Sequence, residues 1–191
     1  MAGKKAFVPD QALDAAMNLF WKQGYEASSI GDIVQATGLG RGSLYDTFGD
    51  KHALYVAALK RYLAKVPADI ELDEQASLKE TLEGYFQRWI DLLLADPEHR
   101  GCFLVNAMIE MAPCDAEVDA VTQSALQRLE EKLYHLLIKA QVRGELPWTY
   151  DPHQGANFLL GILISIRVLA RAKQQRNVLQ DVVKTALSVF P

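Results

Sequence analysis

Arg41, Gly42 and Ser43 form the part of this sequence best suited to chemistry, within the stretch SIGDIVQATGLGRGSLYDTFGDK at residues 29–51. Together they supply one cation, one position with no side chain and one small hydroxyl. The types suit close approach to a polyanion rather than bond-breaking chemistry. The segment reads as the exposed start of a short helix, and the DNA major groove is wide enough to admit a helix with so slim a tip.

The elements that must hold this tip follow from local patterns. Ile30, Ile33 and Val34 give a preceding helix one apolar face, and Ser29 with Asp32 makes a start resembling a capping box. Thr37-Gly38-Leu39 breaks that helix, since Gly38 takes a positive φ at little cost. The next helix, about Gly40 to Thr47, is too short to stand alone, so Leu44, Tyr45 and Phe48 must pack it onto its neighbours. A first helix is expected over Pro9–Gln23, with Leu13, Ala16, Leu19 and Phe20 inward and Gly24 as its stop. Asp50 should cap a fourth helix to about Val66, with Leu54, Ala58, Leu59 and Tyr62 as its core face.

The remainder reads as five more helices: Ser77–Ala95, Cys102–Met111, Asp115–Val142, Asp151 to about Ala172, and Asn177–Val189. No strand alternation or hairpin signal interrupts them, so the expected class is all-α. The organisation expected is a helix-turn-helix domain at residues 1–50, a connecting helix at 51–66, and a helical body at 67–191, with the acidic stretch Asp69–Ala76 marking the boundary.

Charge at first opposes a nucleic-acid role, because the 191 residues carry a net −4. Its distribution softens the objection. Residues 1–62, which include Lys4 and Lys5, hold seven Lys/Arg against six Asp/Glu, whereas the rest hold thirteen against eighteen. A near-neutral head is weak for non-specific adhesion, but suffices if its cations face one way and two heads act together. The N-terminus lacks the apolar run of a signal peptide. The longest apolar run, Phe158–Ile166, is short for a bilayer and broken by Gly161 and Ser165, so a soluble cytoplasmic protein is expected, with no membrane partner.

The segment FLLGILISIRVLARA is apolar on more than one face. It is either a central core helix or an interface covered by a second copy. A homodimer through Phe158, Gly161, Ile162, Ser165 and Leu169 is expected, because Gly161 and Ser165 let two backbones approach and the last helix adds Val178, Val182, Leu187 and Phe190. Arg167 in that segment should pair with an acid at the seam or reach solvent.

The run Gly38, Leu39, Gly40-Arg41-Gly42-Ser43, Leu44-Tyr45, Asp46-Thr47, Phe48 and Lys51 resembles the pattern of the TetR family of transcriptional repressors: a turn glycine, an aliphatic residue, a small-basic-Gly-small tetrad, Leu/Phe-Tyr, two variable residues, Phe and a following Lys. Two positions depart from it. Gly40 stands where Ser or Thr is common, and Asp46 where His or an aromatic is frequent; Asp46 must be turned away from phosphate or paired, with Arg41 or Lys51. The resemblance implies a double-stranded, pseudo-palindromic operator. Arg41 then reads guanine O6/N7 or holds a phosphate, Gly42 permits close approach, and Ser43 reaches a base or phosphate. Tyr45 lays its ring at the core edge with its hydroxyl on a phosphate, while Ser28, Ser29, Thr47 and Lys51 contact the backbone, with Gly40 at the helix start and His52 a weaker candidate.

The resemblance also implies a ligand pocket in the C-terminal body and a small-molecule inducer. Cys102, Asn106 and Glu110 lie four apart on the sixth helix, near Phe103 and Met111, and Phe86 and Trp89 lie on the fifth. Such a set suits a flat, largely apolar ligand with one or two polar groups; the alternative is that Asn106 and Glu110 cap or bridge helices and the aromatics are ordinary core. Cys102 can instead be an electrophile or oxidant sensor, if its thiol is accessible and acidic. A DNA-binding architectural factor without a ligand is a further alternative. No Gly-rich phosphate loop, HExxH or nucleophile–base pair points to an enzyme, and neither a cofactor nor a metal site is expected from His99, Cys102 and Cys114.

Overall fold

Helix starts in this chain are set by side chains that accept backbone N–H groups. Ser29 accepts from Asp32, Asp50 from Ala53, Ser77 from Glu80, and Asp151 from His153 and Gln154. At two of them the box closes reciprocally, with Asp32 and Glu80 reaching back to the cap residue's own N–H. The computed structural model describes residues 9–66 and 76–190, and among these are nine helices and no strand. They are α1 (Pro9–Gln23), α2 (Ile30–Thr37), α3 (Arg41–Phe48), α4 (Lys51–Lys65), α5 (Leu78–Leu94), α6 (Phe103–Glu110), α7 (Ala116–Val142), α8 (Pro152–Arg171) and α9 (Arg176–Leu187). The all-α expectation holds. Lys4, Lys5 and the expected boundary stretch up to residue 75 lie outside the described residues.

The described chain forms two units. One comprises residues 9–66 with Asn106–Thr122, the other residues 76–105 with 123–190, so α6 and α7 each contribute to both along their length. In the first unit α1 packs on α4 and α2, and α3 rests against α2 and α4. Its core holds Ala16, Phe20, Ile33, Leu54, Tyr55, Ala58 and Leu59, all fully buried. The inward face of α1 is Ala12, Ala16, Met17 and Phe20; Leu13 and Leu19 are only half-buried, so the stripe is rotated from the expected one. Phe20 and Tyr25 each meet Tyr55 edge-on at 5.1 Å.

Asp14 clamps α1 to α4. Its carboxylate accepts from Arg61 Nε at 2.9 Å and from Lys65 Nζ at 2.5 Å. The Arg61 hydrogen bond, then the Lys65 one, hold its pKa at about 2 against an ordinary 3.8. A depressed carboxylate stabilises the fold above its unfolded pKa and loses that contribution as pH falls through the folded value. Asp14→Asn should therefore lower unfolding free energy at pH 7, by on the order of 1 kcal/mol after solvent screening. The difference from the parent should shrink steadily between pH 4 and pH 2 in denaturant titrations; a constant difference across that window would exclude the clamp.

In the second unit α5 packs on α8 and α9, and α8 on α9. Leu159, Leu163, Ile166 and Ala170 of α8 are buried there. By length and composition alone α8 is the one helix among the described residues that can cross a membrane. This differs from the expectation, which counted only the uninterrupted apolar run. The buried half of α8 packs as a core helix does.

Candidate nucleic-acid interface

The turn between α2 and α3 is shaped by two positions. Gly38 adopts φ +68° and donates its N–H to Val34 O at 3.0 Å, closing α2. Leu39 then turns inward and is buried. Gly40 starts α3 in extended conformation with no side chain to cap it. Leu44 is the buried residue of α3, which leaves Arg41, Gly42, Ser43, Tyr45, Asp46 and Thr47 facing outward. Tyr45 is 40% exposed, so its ring stands further from the core edge than expected.

Arg41 makes no hydrogen bond or ion pair among the described residues, and its donors are available to an incoming acceptor. Asp46 pairs with neither Arg41 nor Lys51; it is turned to solvent. Lys51 opens α4, with its ammonium 4.2 Å above the Tyr25 ring. A cation–π contact directs the charge without using its N–H donors. Burial pushes the Tyr25 phenol up, aided by the nearby Glu26 charge, which keeps the ring neutral beneath that ammonium.

The hydroxyls expected to grip phosphate need correction. A phosphate oxygen accepts hydrogen bonds, so a hydroxyl holds it only with its proton free. Ser28 is fully buried, donates to Gly24 O at 2.6 Å and accepts from Gln23 Nε2 at 3.2 Å. Ser29 donates to Asp32 Oδ2 at 2.6 Å within its capping box. Thr47 donates to Ser43 O at 2.7 Å. All three protons serve the head's own turns and helices. His52 is likewise engaged, its Nε2 lying 2.6 Å from Asp115 Oδ2.

Sequence reading missed one residue that holds the interface in place and left the part of another open between two alternatives. Tyr25 carries the Lys51 ammonium. Glu110, expected either in a ligand pocket or as a cap or bridge between helices, takes the second part: it accepts from the backbone N–H of Tyr25 at 2.8 Å and of Glu26 at 3.0 Å. Its carboxylate caps the corner between α1 and α2, so it does not line a pocket. Gly24, at φ +87°, makes room for it, since a Cβ there would lie 2.6–2.9 Å from the carboxylate atoms. The glycine after α1 was the only sequence signal of this corner.

The other ligand candidates divide between the units. Phe86, Trp89, Cys102 and Phe103 are buried in the second. Asn106, half-buried, and Met111, buried, belong to the first with Glu110. Cys102 is only 2% exposed, and Cys114 is the exposed thiol, so oxidant chemistry at Cys102 needs a local opening. On α8, Phe158 and Gly161 face solvent and Ile162, Ser165 and Leu169 are half-exposed. They lie on the side of the helix away from its buried stripe. Phe158 and Ile162 border an open groove with Val182, Ala186 and Val189 of the α9 segment.

Family models match both parts of the chain. Residues 12–58 match the model for bacterial regulatory proteins of the tetR family, and residues 79–186 the tetracyclin repressor-like C-terminal domain. The chain is 33% identical to the HTH-type transcriptional repressor ComR of Escherichia coli K12, over 98% of this chain and 90% of that protein. It is also 33% identical to the uncharacterized HTH-type transcriptional regulator YezE of Bacillus subtilis, over the full length of both. Among solved structures, a cysteine mutant of the TetR family regulator CifR, complexed with 26 bp double-strand operator DNA, superposes with a TM-score of 0.87 at 27% identity and covers all of both chains.

Proposed function

The chain belongs to the TetR family of bacterial regulatory proteins, and from that membership we propose that it is a homodimeric repressor, held on a pseudo-palindromic operator and released from it by a small molecule. DNA-binding transcriptional regulation is the family's activity, and it is not an enzymatic one. The observation that carries the finer reading is the outward face of α3. A free guanidinium at Arg41 stands beside two positions, Gly42 and Ser43, with almost no bulk, and the Lys51 ammonium is aimed by Tyr25. In this reading α3 lies in the major groove, Arg41 reads a base edge and Lys51 neutralises a phosphate. Two heads of one dimer then meet half-sites roughly one helical turn apart, ~34–36 Å. The relative complexed with operator DNA supports the same use of the fold.

The test is a mobility shift on the DNA flanking the chain's own coding region. Arg41→Ala should relax base preference, at about 1–3 kcal/mol of lost discrimination. Lys51→Ala should weaken every site alike and lower the slope of log K against log salt by about one. Parent-like binding by both variants would remove α3 from the interface.

A further inference from the structure

Arg167 is the most unusual buried group in the second unit. It lies in the middle of α8, 3% exposed, where an acid partner or solvent was expected. Among the described residues it forms no ion pair, and its Nε has no hydrogen-bond partner. The guanidinium instead stacks 4.1 Å over the Trp89 ring. An indole face attracts a cation but accepts none of its N–H bonds in the ring plane, and a buried guanidinium without a counter-charge is costly.

Two further donors accompany it. Thr81, Tyr85 and Trp89 lie four apart on α5 and so share one face of that helix. Thr81 Oγ1 and Tyr85 Oη are both buried and donate to no acceptor among the described residues; the Trp89 side chain lies close enough to the phenol oxygen to favour its charged form. Tyr85 and Trp89 meet edge-on at 6.4 Å, so the phenol and the guanidinium flank one indole. Burial pushes the Tyr85 phenol up, and the Arg167 charge acts against that rise, which places the two groups within electrostatic reach. The other buried side chains on these turns, Phe86, Ile90, Leu163 and Ile166, are apolar.

The Arg167 Nε–H, a phenol and a hydroxyl, none with an acceptor among the described residues, call for a group that only accepts and carries negative charge. We propose that Arg167, Tyr85 and Thr81 form the anion-recognising end of a ligand site in this unit, and that the ligand is a small organic carboxylate with an apolar body. Carboxylate fits the fork of the guanidinium. A single negative charge on an apolar body suits these surroundings better than the more heavily hydrated phosphate. The assignment rests on the reading of a ligand-released regulator and names the ligand's chemical class.

The test uses the full chain and two matched probe pairs at neutral pH: benzoate with benzamide, and octanoate with octanamide. A ligand that binds the folded state raises the melting temperature by mass action. At millimolar concentration at least one carboxylate should raise it by several degrees and its amide should not. Arg167→Met should abolish that response while melting no lower than the parent, because it removes an unpaired buried charge. Tyr85→Phe should also keep the parent's melting temperature and weaken the carboxylate response several-fold. The inference is overturned if no carboxylate shifts the melt, if amides act equally, if the response survives Arg167→Met, or if Arg167→Met melts below the parent. Operator binding by the parent, measured with the same four probes, separates the two readings. Release by an amide but not by a carboxylate would sink the anion site and leave the ligand-released repressor standing. Failure of the parent to bind operator at all would sink the regulator reading itself.

Discussion

Ile162→Glu is expected to turn the proposed dimer into monomers and to weaken operator binding at least a hundredfold. Helix α8 is apolar enough along its length to cross a membrane, yet buries one face within its own unit. Its opposite face leaves Phe158 40% and Val168 42% exposed, and the neighbouring Val189 is 62% exposed. A contiguous apolar surface of this kind, lined by Phe158, Ile162, Val182 and Val189, marks an interaction site. In the proposed twofold pair the same patch meets itself, so a carboxylate at 162 faces its own copy and both charges lose water. Uncoupling two heads removes their shared effective concentration, which is worth roughly a hundredfold to ten-thousandfold in avidity. Sedimentation and mobility shift read the two effects separately. A variant that still sediments as a dimer would move the interface off this face.

Gly24→Ala should destabilise the head by about 2–4 kcal/mol, the sum of a positive-φ cost and the loss of charge-assisted hydrogen bonds. Gly24 sits at φ +87°, and its missing Cβ is the space that the Glu110 carboxylate fills. With an alanine there, the carboxylate must leave the N–H groups of Tyr25 and Glu26. Because Tyr25 supports the Lys51 ammonium, operator affinity should fall along with stability. Glu110→Ala gives a cycle that isolates the contact. In that background Gly24→Ala should cost clearly less, leaving mainly the backbone term, since neighbouring substitutions that share a contact are not additive. Equal costs in both backgrounds would mean that the carboxylate does not occupy this corner.

Much of the fold was legible because it is written locally. The capping pairs Ser29–Asp32 and Ser77–Glu80 lie three residues apart, and Gly38 needs only its own backbone to end α2. The exposed tip at Arg41–Ser43 was legible for the same reason: Leu44 alone turns α3 inward, so the remaining residues face out. The rotated face of α1 shows where this stops. Leu13 and Leu19 satisfy helical spacing, yet packing on α4 and α2 selects Ala12 and Met17.

The hydroxyls illustrate a different limit. Ser28, Ser29 and Thr47 are of the right type and position for phosphate, but a hydroxyl has one proton, and each spends it inside the head. Glu110 is an acid on an apolar helix, and nothing near it in sequence says that it caps a corner 85 residues away. Arg167 is the same case in reverse. Its sequence surroundings suggest a seam or solvent, whereas the fold encloses it against Trp89, with no acid partner among the described residues.

The sequence by itself determined the nine helices found among the described residues, the family, and the slim cationic tip of α3, because backbone capping and helical spacing are settled within a few residues. Only the tertiary structure decided which polar groups are spent and which remain open. A hydrogen bond or a counter-charge is satisfied by whatever the fold brings within 3 Å, and in this chain the partners of Glu110 and Tyr25, and the Trp89 face under Arg167, are set by elements far apart along the sequence.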